Sequence, residues 1–317
     1  MLAAAVCLAQ SGGGGYGGRG RGRRGWGRNN DTSGPGPHIV YTEGRDEVDE
    51  DKVRTARETA VHSTAAMNWT NATGFEKDTW AFARIKYKYG TGPLVSDSAS
   101  RMGWITDYPD SDLNLSYRVQ QMTSIRVDPD GRTLFLKDPE LFDYPWIYMV
   151  EVGRLELRDE EVPILRKYLL NGGVLMVDDF WGDVHWRNLE FEIKKVFPDR
   201  EFKELPMEHP LFHCVFDLKG PKNKLQTPGM RWGIESLDRN SWRYGMTWEY
   251  HDGEECQEFH VRAITDDKDR IMVIATHNCD NGDGWEREGE NDEFFHEFSE
   301  KRAFPLGINI IFYAMTH

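Results

Sequence analysis

From Trp80 to Tyr87 the chain reads Trp-Ala-Phe-Ala-Arg-Ile-Lys-Tyr, apolar positions alternating with polar or small ones as in a β-strand. Two further short strands are expected at 132–136 and 146–152, the second almost wholly apolar. Between the first two, residues 114–123 put Leu115, Val119 and Met122 on one face of a helix, after a Gly- and Ser-rich loop at 90–102. Residues 138–143 read as a helical turn. Residues 159–171 predict an amphipathic helix, acidic in its first turn and stopped by Asn171, Gly172 and Gly173. An apolar run of four, Val174 to Val177, follows at once and ends in two adjacent carboxylates, Asp178 and Asp179. A second amphipathic helix is expected at 186–197, closed by Pro198. Residues 208–250 show no sustained period. A hairpin is expected from 257–265 and 270–276 around Asp266-Asp267-Lys268-Asp269, and a closing helical stretch at 292–317, interrupted near Pro305.

Strands and helices alternating through the middle predict an α/β fold, a three-layer α/β/α sandwich with a β-rich insertion, spanning 77–317. In open α/β sheets ligands bind beyond the carboxyl ends of the strands. The Asp178–Asp179 pair falls at such an end, and a strand's alternation sends neighbouring side chains to opposite faces. One aspartate is expected to cap the following helix; Asp179 is expected to face the crevice.

The amino-terminal part has a different composition. Met1 to Ala9 resembles the end of a secretory signal peptide, with Cys7 and Ala9 as the small residues before a cut at Gln10. Residues 10–76 read as a Gly- and Arg-rich disordered linker: Ser11 to Gly27 holds ten glycines among seventeen residues. One helix is expected within the linker, at 46–67. No apolar run of about eighteen residues occurs, so no transmembrane helix is expected. Export to the periplasm or cell envelope is the expectation.

The net charge of −14 is uneven. Residues 1–37 carry five arginines and one acid, which leaves 34 basic and 52 acidic residues, a charge of −18, in the remainder. Such a body repels nucleic acid and attracts cations or neutral ligands. RNA binding through the Arg-Gly segment is therefore the weakest functional reading. The four cysteines form no Cys-x-x-Cys pair, which argues against structural zinc. Cys214 and Cys256 could pair in an exported protein.

Three polar clusters fall where strands should end. Asp107-Tyr108-Pro109-Asp110-Ser111-Asp112-Leu113-Asn114 contains the first half of a calcium loop, but Leu115 and Gln121 stand where the glycine and final acid belong, and helix N-capping by Asp110 or Asp112 is the competing reading. The second holds Asp178, Asp179, Trp181, Asp183 and His185; paired carboxylates suit acid–base work or a divalent ion. The third runs His277-Asn278-Cys279-Asp280-Asn281-Gly282-Asp283-Gly284-Trp285-Glu286. It could be a metal site or a tight turn with one functional histidine, since Asn and Gly tolerate positive φ. No Gly-x-Ser-x-Gly elbow, phosphate loop or dinucleotide fingerprint occurs in the body. Cys279 reads as a satisfied free thiol.

Taken together, Phe82 to Tyr87, Trp104 to Asp110, Asp138 to Pro145 with Tyr148, Leu165 to Trp181, His277 to Trp285 and Pro305 to His317 resemble the bacterial family called domain of unknown function 4159, over about residues 79–317. That resemblance implies a flavodoxin-like sandwich of the class I glutamine amidotransferase type. The amidotransferase reaction needs an elbow cysteine and a His–Glu pair, and the absence of the elbow argues against it here. The leading expectation is an exported domain, binding an envelope protein or glycan in an acidic crevice. Its candidate ligand-binding residues are Asp107, Asp178, Asp179, Trp181, His185, His277, Asn278, Asp283 and Trp285, and its candidate metal ligands, for a divalent cation, are Asp179, His277, Asp280 and Asp283. The alternative is a hydrolase that uses a carboxylate and His277, with or without a metal, on an envelope glycan or peptide.

Overall fold

The computed structural model describes residues 38–63, 67–74, 78–89, 103–251 and 254–317. The signal-like start, the Arg-Gly segment and the loop expected at 90–102 lie outside the described residues, except for Gly103 onward and the stretch from His38. The centre is a seven-stranded mixed sheet built from β1 (Ala83–Lys86), β2 (Arg132–Phe135), β3 (Trp146–Val150), β4 (Val174–Asp178), β5 (Lys203–Glu204), β6 (His260–Thr265) and β7 (Ile271–His277). Its order is β2-β1-β3-β4-β7-β6-β5. The first five strands in that order run parallel, and β6 pairs antiparallel with both β7 and β5. The expected hairpin is therefore present, at the edge of the parallel part.

Helices cover both faces, giving the expected three-layer α/β sandwich. The period of two along each strand divides the core cleanly. Ile85, Ile147, Met149, Leu175, Val177, Val273 and Ala275 pack with Leu165 and Leu169 of α2 (Glu161–Leu170) and Leu189 and Ile193 of α3 (Gly182–Val196). The alternate positions, Phe82, Trp146, Tyr148, Val150, Met176 and Ile274, pack with Leu115 and Val119 of α1 (Asp110–Met122) and with Leu306, Ile308 and Ile310 of the closing helix Phe304–Thr316. π-helical Phe295–Ala303 leads without a break into that last helix, and Pro305, two residues on, has no N–H to give back to the preceding turn. The aperiodic region contains an unexpected helix, α4 (Met230–Leu237). The sequence Asp280 to Glu286, expected as a turn, forms α5 (Asn281–Glu286).

The segment before Lys77 departs from expectation. Instead of a helix over 46–67, the described residues pair Glu47–Asp49 with Ile39–Tyr41 as a small antiparallel ribbon, followed by one 3-10 turn at Ala56–Glu58. Val48, Val53 and Ala56 are buried against the core. The cause is Lys86, buried on β1, whose ammonium donates to the carbonyls of Glu50 (2.9 Å) and Val53 (3.0 Å). Burial lowers its pKa to about 8. A charge that cannot reach water is stable only when such acceptors are supplied. The segment supplies them.

The second charge on β1 is Arg84, fully buried. Its guanidinium donates to both oxygens of Asp112 (Nε at 3.0 and 3.1 Å), to Ser111 Oγ at 2.8 Å, and to the carbonyls of Trp104 and Thr106 at 2.9 Å each. These bonds account for Asp112, which neither caps a helix nor binds calcium. Asp110 instead accepts the amides of His62 and Ser63, and Asn114 donates to the carbonyls of Trp285 and Glu286. No side chain caps α1, and all three of the calcium-loop positions are spent on internal partners. No disulfide joins Cys214 and Cys256, the pairing that export would have allowed. Cys214 lies against the carbonyls of Leu211 and Asn309.

Arg84→Met removes one partner of a buried pair and strands Asp112 together with two carbonyls. Destabilisation of about 3–5 kcal/mol is expected in a denaturant melt; a loss under about 1 kcal/mol would mean the pair does not organise this layer.

Candidate functional site

The carboxyl ends of the three adjacent strands β3, β4 and β7 share one backbone device. The residue after each strand is left-handed and polar: Glu151 (φ 58°), Asp179 (φ 51°) and Asn278 (φ 61°). Asp107, on the turn that Arg84 holds by its carbonyls, is left-handed too (φ 60°). Residues other than glycine pay for this conformation, and it gathers at sites where the backbone must re-aim a side chain.

The two adjacent aspartates point in different directions, and the one that caps a helix caps a different helix from the one expected. Asp178 is the last residue of β4 and has no exposure. Its Oδ1 accepts from Asn281 Nδ2 (2.8 Å) and Thr276 Oγ1, and its Oδ2 accepts from the amides of Asn281 (2.9 Å) and Gly282 (3.1 Å) and from Tyr148 Oη (3.2 Å). It thus satisfies the first amides of α5, while α3 begins with no side-chain cap. Burial pushes Asp178 up to about 6 against the pull of those donors.

Asp179 lies past the strand and turns toward Asp107 and Asp280. One carboxylate oxygen from each of these three buried residues lies within 4.8 Å of the others. Asp179 Oδ1 accepts only Trp181 Nε1, at 2.9 Å. Asp280 Oδ1 accepts the amide of Asp283 (2.7 Å), the side-chain N-cap of α5. Asp107 Oδ2, in a residue 1% exposed, has no hydrogen-bond partner. Burial is the first cause that raises each of the three well above the usual carboxylate range. The charges of neighbouring acids are the second: Asp283 and Glu43 on Asp107, Glu151 and Asp107 on Asp179, Asp179 and Asp283 on Asp280.

More acids surround the trio. Around Gly229, Glu249 Oε1 and oxygens of Asp280 and Asp283 come so near that a Cβ there would meet them at 3.1–3.4 Å. On the other flank Glu43, Asp283 and Glu286 share one cation, Arg287: its Nε lies 2.7 Å from Asp283 and 3.0 Å from Glu286, and Nη2 pairs with Glu43. Among the described residues no basic side chain forms an ion pair with Asp107, Asp179 or Asp280. Trp181, its indole on Asp179, stacks face to face on His251 (5.7 Å, 8°), and His251 bonds Glu249 at 2.9 Å.

Other sequence candidates take structural places. His277 is still in β7, one residue past Thr276, so alternation turns it to the α3 side while Thr276 joins Asp178. Its ring stacks on Phe180; Nε2 donates to the carbonyl of Gly182 (3.0 Å), which leaves Nδ1 to accept from Arg262 (3.4 Å). Burial lowers its pKa to about 3, so the ring is neutral with both nitrogens engaged. Asn278 staples Gly182 to Glu258, and His185 Nδ1 accepts the amide of Trp181. Trp285 is core: fully buried, it donates to the carbonyl of Ala303 and packs on Tyr148. Cys279 is buried and accepts the amide of Thr227, its thiol pushed well up by burial. Sequence reasoning missed Glu43, Arg84, Glu249 and Arg287. Only Arg84 carried a signal, a charge inside an otherwise inward-facing strand.

The family model described as Domain of unknown function (DUF4159) matches residues 81–315. A comparison with curated proteins finds no match.

Gly282 is the contact that keeps Asp107 against α5: a Cβ there would stand 1.9 Å from Asp107 Oδ2. Gly282→Ala is expected to displace Asp107 and to cost about 1–3 kcal/mol in a denaturant melt. A variant as stable as the parent would show that Asp107 has room to move.

Proposed function

The chain belongs to the domain of unknown function 4159 family, and from its geometry we propose that it is a ligand-binding domain whose site is the acidic edge beyond β3, β4 and β7. The observation that carries this reading is the convergence of Asp107, Asp179, Asp280 and Glu249 from four separate stretches of chain, three strand ends there being paid for in left-handed backbone. An ionised carboxylate only accepts hydrogen bonds, and burial and mutual repulsion disfavour that charge until donors or a cation arrive, so the ligand this edge suits supplies them: amines, or the hydroxyls of a glycan. A glycan or an envelope protein is the partner consistent with the signal-like start of the sequence.

The hydrolase reading depends on His277 as the base beside a carboxylate. With both ring nitrogens engaged and the ring on the α3 side, His277 supports a structural role instead. Amidotransferase chemistry lacks a nucleophile here, since the thiol of Cys279 is buried, protonated and hydrogen-bonded.

Titration of the full chain with glucosamine oligomers and with neutral glucan oligomers, followed by calorimetry, is expected to give saturable binding to at least one. Asp179→Asn should weaken it about tenfold or more, a loss of about 1.4 kcal/mol, while the exposed control Glu201→Gln leaves it unchanged. Binding indifferent to Asp179→Asn, or hydrolysis of L-glutamine by the chain, would overturn the reading. The proposal of export has its own check: recovery of the native protein with cytoplasmic markers on cell fractionation would sink it.

A further inference from the structure

The stacked His260 and His277 beside Arg262 are absorbed by Glu204 and the Gly182 carbonyl. The exposed Trp242 and Tyr244 sit beside Arg243, with nothing in the structure to say what covers them. The trio itself goes further.

We propose that Asp107, Asp179 and Asp280 form a binding site for one hard divalent cation, with Ca2+ the best fit in size. This deepens the reading of that edge as a binding site and rests on it. Three oxygens lie within 4.8 Å of one another. Opposite oxygens in a Ca2+ shell stand up to about 5 Å apart, so this spacing suits Ca2+ with at most a small inward shift; Mg2+, with shorter bonds, would need them drawn in further. All the donors are carboxylate oxygens, the set that favours Ca2+, Mg2+ or Mn2+ over zinc or copper.

Two independent features point to a ligand here. Asp107 Oδ2 is buried with no hydrogen bond among the described residues, whereas Asp178, the buried carboxylate at the end of β4, takes five donors. The charge is also distributed unevenly. Glu43, Asp107 and Glu286 form a second trio of similar size, but there Arg287 already bridges Glu43 and Glu286. Arg84, the other nearby guanidinium, is committed to Asp112. Among the described residues the trio of Asp107, Asp179 and Asp280 thus has no basic side chain as a counter-ion. Glu249, held beside it by the Gly229 amide at 2.7 Å, offers a further oxygen at its edge. A cation there would give the hydroxyls of a glycan an open coordination position, which links the ion to the proposed ligand.

The test is calorimetric titration of the chelator-treated full chain with CaCl2 and, separately, with MnCl2 followed by electron paramagnetic resonance. About one equivalent is expected to bind, with Asp107→Asn and Asp179→Asn each weakening it about tenfold or more. In chelator both variants are expected to melt at or above the parent's temperature, because each removes one like charge from an uncompensated cluster. That second readout keeps the test open should a variant bind nothing: a variant that melts lower in chelator and also fails to bind indicates a structural role and overturns the proposal. So does a folded parent that takes up neither ion. Glycan binding that depends on Asp179 without any ion would sink this inference and leave the binding reading standing; ion uptake without glycan binding would do the reverse.

Discussion

The acidic edge of this molecule is held in place by one buried carboxylate. Asp178 ends the central strand β4 and accepts from the neighbouring strand through Thr276, from β3 through Tyr148, and from the first amides of α5. A buried anion is tolerated only where donors replace its water, and here the donors belong to three different elements. The same bonds that stabilise the charge therefore fix the position of α5, and with it Asp280 and Gly282. Every other acid of the site is placed relative to that junction.

Arg84 does the complementary work on the other side. By closing on Asp112 and on the carbonyls of Trp104 and Thr106, it fixes the turn from which Asp107 emerges. The result is a segregation of charge: the deep cation is spent on a structural anion, and the anions that gather at the strand ends are left to one another. Such an arrangement costs stability, as burial and mutual repulsion raise Asp107, Asp179 and Asp280 together. A fold selected for stability alone would have spread these acids over the surface.

The layers of the fold were legible from period alone, since strands with an alternation of two and helices with acidic starts appear where the sequence places them. The separation of Asp178 from Asp179 comes instead from the left-handed backbone at Asp179, which no period foretells. The strand expected to end at Thr276 runs one position further, and that single residue sets the face on which the imidazole of His277 lies. Asp110, Asp112 and Asn114 matched a calcium loop in spacing, but spacing carries no information about distant partners, and each is engaged with a residue at least 28 positions away. Glu249 and Glu43 arise from stretches without periodicity, and the three-dimensional path that brings them to the site leaves no local trace.

The ribbon and turn at residues 38–63 lie wholly before residue 81, where the similarity to the family begins. Yet Lys86 finds its acceptors in that segment, Asp110 finds two amide donors there, and Arg287 finds Glu43. A chain cut at the family boundary would thus leave a buried ammonium without carbonyls and a guanidinium with one fewer carboxylate. The stretch recognisable as related is shorter than the stretch that must fold as a unit, and the difference is made of ionic debts owed by the one to the other.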